Sequence, residues 1–172
     1  APSSVSVDGC GTYCNNLPGV TFSASDFACG ADQITDVNVS ITWAKTSGSC
    51  GSANAGPRNH NQTSFRLDGP TGNNVVLVQP GSYTGNGATF ATTTILDQSA
   101  ATVIGGVDPF TGTFRPNNGN LNTYNATSAF GTWFLRAGDN LAGSPLCIVG
   151  YSVTITVQEL ASPPIITCPA DI

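Results

Sequence analysis

Apolar and polar residues alternate along several short stretches of this chain, and a period of two residues predicts β-strands. The longest stretch begins at Ile34 and ends at Trp43. Its apolar side chains would share one face of a strand; they are Val37, Val39, Ile41 and Trp43. No stretch has the spacing of an amphipathic helix, and 20 glycines and 11 prolines interrupt the chain. The pattern therefore predicts an all-β protein.

The same alternation recurs toward the C-terminal end of the chain, where Val153, Ile155 and Val157 are separated by threonines. This is typical of a half-buried antiparallel strand. Shorter strands are predicted at Val5–Val7 and Val20–Phe22. About eight antiparallel strands at this spacing, separated by turn residues, predict a jelly-roll β-sandwich.

Two pairs of strands are predicted from their separation along the chain. Ser64–Leu67 and Val75–Val78 would form a hairpin, because the segment between them holds the Pro and Gly that suit a tight turn. Trp133–Arg136 and Tyr151–Val157 would form a second pair, joined by a loop that contains Cys147.

The length of 172 residues fits one sandwich domain with short additions at its ends. We expect cysteine-containing N-terminal strands at 1–32 packed on the sandwich, a jelly roll at 33–160, and a linker or terminal strand at 161–172. Polar segments 46–63 and 81–89 are predicted long loops. Such loops are either binding surfaces or places where insertions are tolerated.

Composition narrows the classes of partner. Only 9% of the residues are charged, the net charge is −5, and Lys45 is the only lysine. Nucleic acid is excluded as a partner because phosphate binding requires clustered Lys and Arg. Membrane insertion is not expected, since no apolar stretch approaches 18 residues. The neutral, hydroxyl-rich surface suits an extracellular or cell-surface location, and Ala1 followed by Pro and two Ser fits a processed start.

Six cysteines in such a chain indicate an oxidising compartment and disulfides. They are Cys10, Cys14, Cys29, Cys50, Cys147 and Cys168. A zinc site is the weaker reading, because the close pair Cys10 and Cys14 has no second pair and His60 is the single histidine. We predict that Cys50 bonds Cys147, and that Cys29 bonds either Cys10 or Cys14.

Five fragments in the stretch from Gln33 to Val157 resemble, in family order, the P domain (Homo B domain) that accompanies subtilisin-like proprotein convertases. They are Asp36–Thr42, Phe65–Gly72, Ile95–Ala100, Pro109–Pro116 and Gly131–Leu135, the last followed by Asp139 and Asn140. The resemblance implies a jelly roll and a calcium site. Its candidate ligands are Asp97, Asp108 and Asp139, with Asp32 and Asp36 as further charges. The alternative for each is a turn cap, since Asp routinely bonds backbone N–H groups.

This chain also departs from the family pattern. The Gly-Asp-Leu that precedes the family's hairpin is replaced by Gln62-Thr-Ser-Phe65, so one acidic residue associated with calcium is missing. The tail, Pro163–Ile172, resembles the opening strand of a hyalin-repeat (HYR) adhesion domain. That likeness implies either a piece of a multidomain surface protein or a strand that docks on another subunit's sheet edge.

The sequence shows no clear arrangement of catalytic residues. His60 is the only histidine base and is expected at the surface, and the ten acidic residues are spread singly. We therefore predict that the chain is not an enzyme. Trp43 and Trp133 are expected in the core, whereas Tyr83 and Tyr124 in polar loops are candidate contacts for a ligand.

Three N-x-S/T sequons are candidate glycosylation sites: Asn38, Asn61 and Asn125. Asn61 and Asn125 are expected in loops, and Asn38 on the outer face of a strand.

The leading prediction is a non-catalytic extracellular structural or adhesion module of a cell-surface or filament-forming protein. Its partners would be copies of itself or neighbouring domains, with strand addition through terminal segments such as Ser162–Ile172. One alternative is an accessory P domain that stabilises or targets a secreted protease. The other is a carbohydrate-binding module that binds glycans through the loop 46–63.

Overall fold

The computed structural model describes residues 4–27, 31–50, 58–85, 92–107 and 110–158. Within them the protein is an all-β sandwich with no α-helix, and three short 3₁₀ turns lie at Ala24–Asp26, His60–Gln62 and Leu121–Tyr124. Ten strands form the two sheets: β1 Val5–Val7, β2 Gly11–Asn16, β3 Val20–Phe22, β4 Ile34–Lys45, β5 Thr63–Asp68, β6 Asn74–Val78, β7 Thr92–Asp97, β8 Gly112–Phe114, β9 Gly131–Asp139 and β10 Leu146–Val157. The described residues contain no helix long and apolar enough to cross a membrane.

The first sheet has the strand order β1-β10-β4-β7-β8, and the second has the order β2-β9-β5-β6, with β3 also pairing with β9. The predicted sandwich is confirmed, with ten strands in place of about eight. One pair, β7 with β8, is parallel, which the all-antiparallel prediction missed. Neighbouring strands are often distant in sequence, so the alternation pattern alone could not assign the pairs.

Several predicted strands are confirmed. β1 and β3 have the predicted bounds, and β5 and β6 form the predicted hairpin, with Leu67 opposite Val75. In β10, Val153 is buried and Ile155 and Val157 are partly buried, while the threonines between them are exposed.

The predicted pairing of 133–136 with 151–157 is wrong. β10 pairs with β4 and β1 in the first sheet, whereas β9 pairs with β5, β2 and β3 in the second. Cys147 lies in β10 rather than in a loop. Each strand has an apolar face, and the two faces contribute to the core from opposite sheets. Closeness in sequence therefore did not indicate hydrogen bonding here.

The N-terminal strands are members of the sheets. β1 extends the first sheet beside β10, and β2 and β3 both pair with β9. The segment 161–172, and with it the HYR-like tail and Cys168, lies outside the described residues.

The core lies between the sheets and contains both tryptophans, Trp43 and Trp133, which are fully buried as predicted. Tyr124 is also fully buried, so the prediction that it contacts a ligand is wrong. Its ring packs edge-on against Trp133 at a centroid distance of 4.8 Å, and its hydroxyl donates a 2.6 Å hydrogen bond to the carbonyl of Leu67. This burial raises the pKa of Tyr124. A polar loop sequence did not reveal that the 3₁₀ turn directs this ring inward.

Candidate functional site

The inward-facing row of side chains on each of two strands ends in a charged residue. On β4 the inward positions after Val39 are Ile41, Trp43 and Lys45; on β9 they are Leu135, Ala137 and Asp139. β4 belongs to the first sheet and β9 to the second. Lys45 and Asp139 therefore meet between the sheets, at one end of the core.

Lys45 has three hydrogen-bond acceptors around its ammonium group. Its Nζ donates to Oδ2 of Asp139 at 2.6 Å, to Oε1 of Gln62 at 3.1 Å and to the carbonyl oxygen of Ser144 at 2.5 Å. The side chains of Lys45 and Asp139 are both 0% exposed. An ammonium has three N–H donors, so these three bonds satisfy all of them.

Burial affects the ionisation of both partners. Desolvation lowers the pKa of Lys45, which its contacts with Asp139 only partly offset. Desolvation likewise raises the pKa of Asp139, although the Lys45 hydrogen bond opposes the shift. Both directions bring the neutral pair, an amine and a carboxylic acid, closer in free energy to the ion pair.

Aromatic rings line the core beside this pair. Trp43, two residues before Lys45 on the same face of β4, stacks with Tyr83 at 5.5 Å and with Phe110 at 5.7 Å between centroids. His60 packs edge-on against Trp43 at 6.1 Å. Tyr83 and His60 are both fully buried.

These positions correct two predictions. Tyr83 was expected to be an exposed contact residue, and His60 was expected at the surface. Both belong to segments of polar sequence, but the apolar surface of Trp43 gives their rings a place in the core. With Tyr83 and Tyr124 buried, the two aromatic residues predicted to contact a ligand are not accessible at the surface.

Two disulfides are present among the described residues. Cys50 bonds Cys147, as predicted, and links residues 97 apart in sequence. Cys10 bonds Cys14, so the prediction that one of them bonds Cys29 is wrong. These two cysteines are close enough in β2 and the turn before it to bond each other. Cys29 and Cys168 lie outside the described residues.

The two candidate calcium ligands that the structure describes, Asp97 and Asp139, are not brought together. Asp97 lies at the end of β7 opposite Asn38, and its carboxylate accepts two 2.7 Å hydrogen bonds from the backbone N–H and hydroxyl of Ser99, as in a turn cap. Asp139 contacts Lys45, which is seven residues along β4 from Asn38, or roughly 20 Å in an extended strand. Asp97 and Asp139 therefore do not fit one shared calcium ion.

Asp108 lies outside the described residues. Of the two further candidates, Asp36 accepts a 2.7 Å hydrogen bond from the amide of Asn38, and Asp32 accepts one from Ala129 through its backbone carbonyl. No group of three or more His, Cys, Asp or Glu side chains in the described ranges is arranged to hold a metal ion. Calcium binding stays a prediction.

Two of the three sequons have exposed asparagines. Asn61 lies in the 3₁₀ turn before β5, and Asn125 follows the turn at Leu121–Tyr124. Asn38 lies on the outer side of β4 and is partly buried. Glycosylation of these residues stays a prediction.

The outer side of the first sheet is rich in hydroxyl groups. We call this surface the hydroxyl face; its residues are Ser40, Thr42, Thr93, Thr113, Ser152, Thr154 and Thr156. Thr42 and Thr93 lie opposite each other on β4 and β7, with their Oγ1 atoms 2.9 Å apart in a hydrogen bond. The seven residues of the hydroxyl face are uncharged, and Asp36 and Asp97 lie on the same side of the sheet at one end.

The outer side of the second sheet carries a partly exposed ionic cluster. Asp68 on β5 accepts hydrogen bonds from Arg66, at 2.7 and 3.0 Å, and from Arg136 on β9. The side chains are 18% exposed for Asp68, 26% for Arg66 and 33% for Arg136. The guanidinium of Arg66 also lies 5.6 Å from the centre of the Tyr13 ring.

Lys45 is the only lysine of the chain, and no place in the fold was predicted for it. Its position was readable, because Lys45 continues the alternation of Ile41 and Trp43. Asp139 likewise falls at an even spacing after Leu135 and Ala137. The alternation could have placed both charges on inward faces, but nothing local indicated that they would meet.

No protein-family model matches this chain, and no curated protein matches it. The likeness to the P domain and to the HYR domain therefore rests on the sequence motifs alone.

Proposed function

We propose that this protein is a non-catalytic extracellular module, structural or adhesive, of a cell-surface or filament-forming protein. The observation that carries the proposal is the combination of a broad hydroxyl face with the disulfide Cys50–Cys147, which ties the segment after β4 to β10. A sheet face of this kind can pack against a neighbour without desolvating charges, which is the costly part of burying polar surface.

The buried chemistry supports a scaffold. His60, the only histidine of the chain, packs among aromatic rings, and Lys45 donates all three of its N–H bonds inside the core. Groups held in this way stabilise a fold and are out of reach of a substrate at the surface. The disulfides favour an oxidising, extracellular compartment, and exposed Asn61 and Asn125 are accessible for a glycan there.

Self-association is the second element of the proposal. β1 and β8 are the edge strands of the first sheet, and the edge of a sheet can accept a further strand through main-chain hydrogen bonds. The terminal segment 162–172 is apolar and bounded by prolines, and its sequence suits such a strand.

The test is the particle mass of the native protein by size-exclusion chromatography with light scattering. We expect particles well above the 17.5 kDa of one chain, and we expect the chain truncated after Gln158 to be monomeric. Measuring the particle mass in calcium and again in chelator shows whether calcium contributes to the contact between chains. A 17.5 kDa monomer of the full chain in both buffers would contradict self-association and favour an accessory domain of a longer polypeptide.

A pair of variants distinguishes assembly through the strand edges from packing on the hydroxyl face. Thr154→Lys adds a charge to the hydroxyl face, whereas Asn74→Lys adds the same charge to an exposed position of β6 on the second sheet. If neighbours pack on the hydroxyl face, Thr154→Lys alone weakens assembly. If only strand addition holds the particles together, both variants assemble like the parent chain.

A further inference from the structure

We infer that Lys45 and Asp139 become joined by an intramolecular amide bond, which clips the two sheets of the sandwich together covalently. The inference rests on the geometry of this pair and stands whether or not the protein assembles with copies of itself.

The two reacting groups are already in contact. Nζ of Lys45 lies 2.6 Å from Oδ2 of Asp139, and the carboxyl carbon is one bond beyond that oxygen. β4 and β9, in opposite sheets, hold the two side chains in fixed positions. Contact of this kind in a rigid frame replaces a bimolecular encounter by an intramolecular one, which is worth many orders of magnitude in rate.

The chemistry needs no external reagent. The ammonium passes one proton to Oδ2, giving a neutral amine and a carboxylic acid. The Nζ lone pair then attacks the carboxyl carbon of Asp139, a second Nζ proton moves to the same oxygen, and the bond from the carbon to that oxygen breaks. One water molecule leaves with two of the three Nζ protons, and the amide keeps the third.

The surroundings favour the reactive forms. In water an amine is protonated and a carboxylate is a poor electrophile, so the two do not condense. Here both side chains are 0% exposed, and burial shifts the pKa of each toward its neutral form. Exposed Asp8 also acts on both groups; its charge favours the protonated acid of Asp139 but opposes loss of the proton from Lys45.

Two neighbours orient the nucleophile. Gln62 Oε1 and the Ser144 carbonyl each accept one N–H of Lys45, so the proton passed to Asp139 is the third. Its loss leaves the Nζ lone pair directed at the Asp139 carboxyl. After the reaction the Ser144 carbonyl or Gln62 Oε1 can accept the remaining amide N–H. Gln62 is therefore a positioning residue for this step.

The bond would reinforce one end of the molecule. It joins positions 94 residues apart and crosses from one sheet to the other. The Cys50–Cys147 disulfide lies near it, because Cys147 on β10 is opposite Ala44, the residue before Lys45. Unlike that disulfide, an amide survives a reducing environment.

Because Lys45 is the only lysine, the test is direct. The purified full chain is denatured and reduced, weighed by intact mass spectrometry, and treated with a lysine-specific endoprotease. We expect a mass lower than that of the sequence by one water molecule, and no cleavage, because an acylated lysine is not a substrate. Tandem mass spectrometry of a digest at other residues should find a branched peptide that joins Lys45 to Asp139.

Two variants are matched controls. Asp139→Ala removes the carboxyl group, so this chain should have its full sequence mass and be cut into two fragments at Lys45. Lys45→Arg keeps the positive charge but has no primary amine, and it should also have its full sequence mass. Gln62→Ala retains both reacting groups and should show a smaller linked fraction than the parent chain.

The measurement on the parent chain decides the matter even if a variant fails to fold. A parent chain that unfolds cooperatively, has its full sequence mass after reduction and is cleaved after Lys45 overturns the inference. A loss of one water that maps to another pair of residues overturns it as well.

Discussion

β9 supplies a charged residue to each of two ionic clusters, and the clusters differ in their exposure to water. Asp139 meets Lys45 between the sheets, where both side chains are 0% exposed. Three residues earlier, Arg136 points outward and contacts Asp68, which also pairs with Arg66, at exposures of 18–33%. Each cluster pairs a carboxylate with a cation at hydrogen-bonding distance, so the contact distances alone do not distinguish them.

The two aspartates respond in opposite directions. Partial burial alone would raise the pKa of Asp68, but hydrogen bonds from Arg66 and Arg136 outweigh it, and the pKa of Asp68 falls below its ordinary value. At Asp139, desolvation outweighs the contacts with Lys45 and with the backbone N–H of Leu141, and the pKa rises. The two clusters differ both in burial and in their cations, and the more deeply buried carboxyl is the one whose pKa is shifted toward its neutral form.

The largest expected effect comes from removing the buried lysine. Lys45→Met leaves Asp139 without its partner in the core, and the free energy of unfolding should fall by about 3–5 kcal/mol, the usual cost of an unpaired buried charge. Urea denaturation followed by tryptophan fluorescence measures the loss. The double variant Lys45→Met, Asp139→Leu should recover the part of the loss that comes from the unpaired carboxyl group, because no charge is then buried, but not the part that comes from losing the amide crosslink. A single variant as stable as the parent would contradict this account of the site.

A smaller effect is expected at the exposed cluster. Asp68→Asn removes the carboxylate between Arg66 and Arg136, which lie opposite each other on β5 and β9. We expect the free energy of unfolding to fall by about 1 kcal/mol, since exposed pairs contribute little. The same urea experiment measures it. A loss as large as that of Lys45→Met would remove the distinction between the two clusters.

The pH dependence of stability should reflect the lowered pKa of Asp68. A carboxylate whose pKa is lower in the folded state stabilises the protein above its unfolded pKa, ordinarily 3.8. That stabilisation is lost as pH falls through the folded pKa. The difference in stability between the parent chain and Asp68→Asn should therefore be constant near neutral pH and shrink below about pH 4. A difference that stays constant into acid would contradict the lowered pKa.

Any free carboxyl at Asp139 would give the opposite slope. Its folded pKa is raised, so its contribution to stability is greatest below the unfolded pKa and falls as pH rises through the folded pKa. Once the amide has formed, Asp139 no longer titrates and this slope disappears. The pH dependence of stability can be compared between Asp68→Asn chains with and without the Lys45→Arg substitution. Both chains lack the contribution of Asp68.

The smallest effect is the response to salt. The cost of Asp68→Asn should decrease as sodium chloride is raised, because ions screen exposed charges. The cost of Lys45→Met should change little, since buried pairs are screened much less. Urea denaturation of both variants at low and high salt measures the two responses. Equal salt sensitivity would indicate that water reaches Lys45.

Much of the fold could be predicted from the alternation of residue types. The inward row of β4, the hairpin of β5 and β6, and the burial of Trp43 and Trp133 follow from a period of two, which is a local property of the chain. The Cys50–Cys147 disulfide was predicted correctly, whereas the partner of Cys10 was not. Of the candidate site, the sequence could indicate only that Lys45 and Asp139 occupy inward positions, and not that they contact each other.

What the sequence alone determined is which side chains of each strand face inward, because successive side chains of any strand point to opposite faces. Only the tertiary structure decided that β9 and β10 lie in opposite sheets, that Tyr83 and His60 pack against Trp43, and that Lys45 meets Asp139. These outcomes depend on contacts between residues far apart in the chain. Depth in the core, which shifts the pKa of both Lys45 and Asp139, is a property of the assembled sheets and of no single segment.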